Sequence, residues 1–298
     1  MQSNNPVFRR SEEFHAGGAN AYGNQTYAGN GQTYQGYGAD PSTWGTGEPG
    51  VPGQQPTQAP PSTGPMTIDS VVQKTAISLG VVILAAIATW VLTPDITATT
   101  LSNGELGSLF AALTIGSLGA FALSLVNSFK RVISPALVLA FCVLEGVALG
   151  ALSKVIDAQY TTADSGNIVV QAVIGTFAAF AGTLAAYKFF NIQVGAKFRM
   201  FVIAAMFGMI GLGLLELMLG LFGDNMGLFG FGALGMLTAV AGLVLGIFML
   251  ILDFDFVEKG IANGLPERES WRAAFAMTVS LVWIYTNLLR LLAIFSQD

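Results

Sequence analysis

The 298-residue chain contains a single cysteine, Cys142, and a single histidine, His15, and only 10% of its residues are charged. One cysteine cannot close an intramolecular disulfide. Zinc sites, Cys/His nucleophile pairs and Ser-His-Asp triads are excluded by the same count. Soluble domains carry roughly 25% charged residues, so a water-soluble globular enzyme is excluded as well. No EF-hand pattern occurs, and no strand leads into a glycine-rich phosphate loop. The net charge of −5 is small and of the wrong sign for nucleic acid as a partner. What the chain has in excess is apolar surface: 53% of its residues are hydrophobic and its mean hydropathy is +0.61.

The polarity is concentrated at one end. Residues 1–65 hold 8 of the 11 prolines, 12 of the 36 glycines and 4 of the 7 tyrosines. The stretch AYGNQTYAGNGQTYQGYG (residues 21–38) repeats Gln-Thr-Tyr without an apolar period, and a Pro/Gly/Thr/Gln linker follows. Such a segment cannot bury enough apolar surface to offset the entropy lost on ordering, so residues 1–65 are expected to be disordered. With no apolar h-region, the segment is not expected to be a signal peptide. Its tyrosines fit either a solvated spacer or a tethering element.

From residue 66 to 298 the chain alternates long apolar runs with short polar connections. Seven runs reach the roughly 20 residues that span a bilayer as a helix: 75–92, 106–126, 135–155, 168–187, 198–222, 229–252 and 273–295. None shows the polar/apolar alternation of an outer-membrane strand, so helices are expected. Thr67 and Asp69 offer capping oxygens ahead of the first run, and Pro135 opens the third. With the amino terminus in the cytoplasm, the inner connections hold Lys74, Lys130, Arg131, Lys188, Lys197, Arg199, Lys259, Arg268 and Arg272. The outer side holds only Lys154 and Arg290. This asymmetry predicts an inner-membrane protein with the amino terminus inside and the carboxyl terminus outside.

Ionisable groups inside a bilayer are costly and mark candidate sites. Glu145 stands mid-span in helix three, among Ala148, Leu149 and Leu152 on its own face, so its partner must come from another helix. Asp253 and Asp255 close helix six, where a helix dipole disfavours acids. Gly235, Gly242 and Gly246 lie within about 20° of the Asp253 direction, a stripe that admits a neighbouring helix; Asp255 points some 200° away. Even so, the two are expected to titrate as a coupled pair and set a pH response. No resident cofactor is expected. Glu216 in helix five and Arg290 in helix seven fall at nearly the same depth, about 27 and 26 Å along their axes. They are expected to pair, directly or through water, and clasp the two helices.

The segments MTIDSVVQKTAISLG, LEGVALGALS, IVVQAVIGTFAAF, LDFDFVEKGIANGLPERESWRAAF and VWIYTNLLRLL, in that order, resemble the bacterial branch of the Bax inhibitor 1 / YccA-like family. The resemblance covers residues 66–295 and leaves the amino-terminal segment outside. It implies a seven-helix fold with the last helix central, and a pH-sensitive calcium leak. In that family two aspartates, at the inner end of helix six and in the first half of helix seven, share a proton and gate the pore. The helix-six member maps onto Asp253 or Asp255. For the other, anchoring on Arg290 selects Ser280 and anchoring on Tyr285 selects Asn287. Depth favours Ser280, about 10 Å from the inner end against about 21 Å for Asn287. Helix seven has no carboxylate, so Asp255, or Glu145 reached through a conformational change, would have to serve as the second acid, and the implied leak makes Asp253 and Asp255 candidate oxygen ligands for a transient Ca²⁺. Two functions follow: a proton-gated cation leak, or a membrane protein that modulates another membrane protein such as a quality-control protease. No nucleophile–base pair can be built, so no enzyme is expected.

Overall fold

The computed structural model describes residues 64–96, 106–161, 166–190, 192–223 and 226–297. The disorder expected over residues 1–65 therefore lies outside the described residues, apart from Gly64 and Pro65. These two are already attached: Gly64 O accepts from Glu267 N at 2.8 Å, and Pro65 forms an isolated antiparallel bridge with Pro266.

Among the described residues there are seven α-helices: α1 (Ile68–Leu92), α2 (Gly107–Phe129), α3 (Pro135–Tyr160), α4 (Ile168–Phe189), α5 (Ala196–Leu221), α6 (Ala233–Ala262) and α7 (Ser270–Phe295), with a 3₁₀ turn, Glu267–Glu269, leading into α7. All seven are long and apolar enough to cross a membrane, and no β-strand occurs among the described residues. The protein is an all-α, multi-pass membrane protein. In hydrocarbon a helix satisfies its own backbone, which is why apolar runs of this length take no other form.

Two boundaries differ from the apolar runs in ways that matter. α1 starts at Ile68, seven residues before the expected 75, because Thr67 and Ser70 form a reciprocal capping box ahead of a polar first turn; Asp69 lies in that turn and is not the cap. α6 runs to Ala262 rather than 252 and ends before Gly264, whose φ of +65° suits only a residue without a Cβ. Asp253 and Asp255 thus stand two to three turns inside the helix, beyond the reach of its terminal dipole. The dipole argument for them is wrong, because hydropathy detects the apolar stretch and not the polar turns that extend it.

α7 is the centre of the bundle, packed against α1, α3, α4 and α6. α2 packs on α3 and α5 on α6, and α5 buries only Val202 and Met209. Lipid is as apolar as leucine, so helix association here rests on close approach through small residues. At Gly146 of α3 an added Cβ would overlap the Val82 carbonyl oxygen of α1, and at Gly116 of α2 it would lie 2.8 Å from Ala148 N of α3.

Candidate functional site in the seam between the last two helices

α6 and α7 run antiparallel and meet along one continuous seam. The predicted glycine stripe supplies most of it. A Cβ on Gly246 would lie 2.6 Å from Ile284, and one on Gly242 would overlap the Asn287 carboxamide. Trp283 Nε1 donates to Gly242 O at 2.8 Å, and Asn287 Nδ2 donates to Trp283 O at 2.8 Å. Asp253 follows on the same face. Its Oδ2 is 2.6 Å from the Ser280 hydroxyl, which is 1% exposed. The residue that the depth argument selects is the one in contact; Asn287 lies two turns further along α7, against Gly242.

Asp255 has different neighbours. It is 3% exposed, with Lys259 Nζ of its own helix at 2.6 Å and Arg199 of α5 at 3.0 Å, both cations about half exposed. Two residues of helical rotation thus send the two acids to opposite partners: Asp253 to a hydroxyl on α7, Asp255 to cations at the α5 side. They make no common carboxylate site, and the coupled pair expected from their proximity is not formed. Among the described residues no three His, Cys, Asp or Glu side chains cluster as metal ligands. Arg199 was counted in the sequence only as an inner-loop charge; its place in the first turn of α5, level with the inner end of α6, is the signal that identifies it.

Glu145 lies on α3 between the face that meets α1 through Gly146 and Gly150 and the face that meets α2. The close approach of α1 is made, but no hydrogen bond or ion pair to Glu145 exists among the described residues. Asp253 has Ser280, not Glu145, as its hydrogen-bond partner. Cys142, one turn earlier, is fully buried and free.

At the far end of the seam the direct Glu216–Arg290 pair is absent among the described residues. The segment around Gly227–Phe229 stands between the two side chains. Glu216 Oε1 accepts from Gly227 N at 2.8 Å and Leu228 N at 3.2 Å. Arg290 lies 5.2 Å from the Phe229 ring centroid and donates to Thr238 Oγ1 at 3.0 Å and Gly235 O at 3.3 Å. Thr238 in turn donates to Leu228 O. The clasp therefore runs from α5 through the connecting segment and Thr238 to α7. The depth argument placed both charges at one level but did not test α6, where Thr238 lies at the same level.

The profile of the family described as Bax inhibitor 1 like matches residues 5–297. The match extends into the amino-terminal segment that the motif resemblance left outside. No curated protein matches the chain. A profile match over almost the whole length, seven membrane-spanning helices and a central last helix agree, and the chain belongs to the Bax inhibitor 1 like family.

Proposed function

We propose that this protein is a proton-gated cation leak of a bacterial plasma membrane, oriented with its amino terminus inside, and that the Asp253–Ser280 contact is its gate. The observation that carries this reading is a carboxylate inside a membrane-spanning helix whose partner is a hydroxyl on the central helix at 2.6 Å, with no ion pair to it among the described residues. An ionised Asp253 can only accept from Ser280, whereas a protonated one can also donate. One proton therefore changes the bonding between α6 and α7. The oxygen-rich groups on offer suit a hard cation such as Ca²⁺. Asp255, held by Arg199 and Lys259, anchors α6 to α5 while the other face of α6 responds. The test is Ca²⁺ entry into sealed liposomes: vesicles holding the purified protein should fill faster than protein-free vesicles, and equal rates would reject the leak.

A second reading is favoured by the root of the amino-terminal segment. Met66 N donates to Leu265 O at 2.7 Å, Lys74 pairs with Glu267 at 2.9 Å, and Met66 is buried beneath Gly260. The chain entering α1 is thus tied to the connection between α6 and α7. A membrane protein such as a protease that engaged residues 1–63 would pull on that connection. Co-purification with and without residues 1–63 separates this reading from the leak.

A further inference from the structure

α1 and α4 both pack on α7 and leave between them a crevice of about 440 Å³, floored by α7 and α3. Its size is that of a small-molecule site, and sites of this kind form between the helices of bundles. Its walls are apolar, and the flanking side chains Ile83, Ile87 and Phe177 are 41%, 55% and 47% exposed on the outer surfaces of α1 and α4. The crevice therefore opens sideways, toward hydrocarbon. Along α1 its lining runs from Trp90 to Leu79, about 16 Å at the helical rise. One leaflet of a hydrocarbon core roughly 30 Å thick has about that depth. Trp90, two residues from the end of α1, marks the interfacial end.

The floor carries one polar feature. Ser153 Oγ of α3 and Tyr285 Oη of α7 lie 2.6 Å apart, and both line the crevice. Two hydroxyls bring two donor hydrogens, and the bond between them uses one. Neither oxygen has another hydrogen-bond partner among the described residues, although Ser153 is only 4% exposed. A spare donor hydrogen in an apolar crevice calls for an acceptor from outside. Its level is set by the next residue. Lys154 reaches Trp90 O and Thr93 O, each at 2.8 Å, and Asp95, whose side chain is 91% exposed. The hydroxyl pair thus lies about one side-chain length beneath the water-facing end of α1, where the ester groups of a bilayer lipid are found.

We propose that the α1–α4 crevice is a binding site for one acyl chain of a glycerophospholipid, with the ester carbonyl of that chain accepting the spare hydrogen of the Ser153–Tyr285 pair. The chain lies along α1 between Trp90 and Leu79 and fills the space between α1 and α4.

The experiment is native mass spectrometry of the full chain released from vesicles of a diacyl phosphatidylglycerol, or of its dialkyl ether analogue, which has the same chains and no carbonyl. The wild-type protein should retain one diester molecule and hold the diether at least about fivefold less. Ala86→Phe, which fills the crevice, should lose the lipid while keeping its helical signal. Val173→Phe, which narrows the same crevice from the α4 side, should do so independently. Absence of retained lipid on the wild-type protein, or retention unchanged in both filling variants, would overturn the site. Equal retention of diester and diether would overturn the hydroxyl–carbonyl contact.

Discussion

Asp253 and Asp255 share a helix and a residue type, yet half a turn of rotation gives them unlike chemistry. Asp255 is served by two cations, so loss of one leaves the other. Arg199→Ala is expected to lower stability by less than about 1 kcal/mol, since Lys259 remains at 2.6 Å. Asp253 has Ser280 as its hydrogen-bond partner. Ser280→Ala leaves a carboxyl group with a lost bond inside the seam and should cost about 1–3 kcal/mol. Thermal unfolding of the two variants in one detergent checks the order; a larger loss for Arg199→Ala would contradict it. The acids themselves were legible in the sequence because charge in an apolar run is conspicuous. Their partners were less so, since a serine or an inner-loop arginine has no such contrast. Ser280 is selected by the family resemblance anchored on Arg290, with depth along α7 favouring it over Asn287, whereas Thr238, a small neutral side chain in an apolar run, gives no such signal.

Among the elements, the helices follow from the apolar runs, but their contacts follow from glycine. Gly146 and Gly80 sit on neighbouring helices and look equivalent in composition. A Cβ at Gly146 meets the backbone of Val82, which cannot yield, whereas nothing lies within 4 Å of Gly80. Gly146→Ala should therefore cost roughly 1–3 kcal/mol through overpacking, and Gly80→Ala should be neutral or stabilise by up to about 1 kcal/mol through helix propensity. Unfolding in detergent distinguishes them, and equal effects would contradict the close approach of α1 and α3. The glycine stripe facing α7 was readable from helical periodicity. The length of α6 was not, because hydropathy falls at FDFVEKGIA while the hydrogen-bonded helix continues to Ala262.

For the whole molecule, the asymmetry of basic residues is the basis of the proposed orientation. That orientation predicts that a cysteine added after residue 298, in a Cys142→Ser background, reacts with a membrane-impermeant maleimide without lysis of the cells. Labelling confined to lysed cells would place the carboxyl terminus inside. The family was legible because its specific motifs, the carboxyl-terminal end of α6 and the Trp-Tyr-Leu-Arg signature of α7, are places where polar residues interrupt the apolar background. In the α6–α7 seam the Asp253–Ser280 contact is a bond between helices that a proton on Asp253 would alter. On the proposed reading the response between about pH 5 and 8 comes from Asp253, and His15, the only histidine in the sequence, is the control because an unperturbed histidine titrates in that range. The measurement that bears most directly on this is the pH profile of Ca²⁺ entry into proteoliposomes for the wild-type protein, Asp253→Asn, Asp255→Asn and His15→Gln. The gate at Asp253 predicts that Asp253→Asn alone flattens the profile between about pH 5 and 8, while the other two keep the wild-type shape. A wild-type profile in Asp253→Asn, or a flat one in His15→Gln, would contradict it.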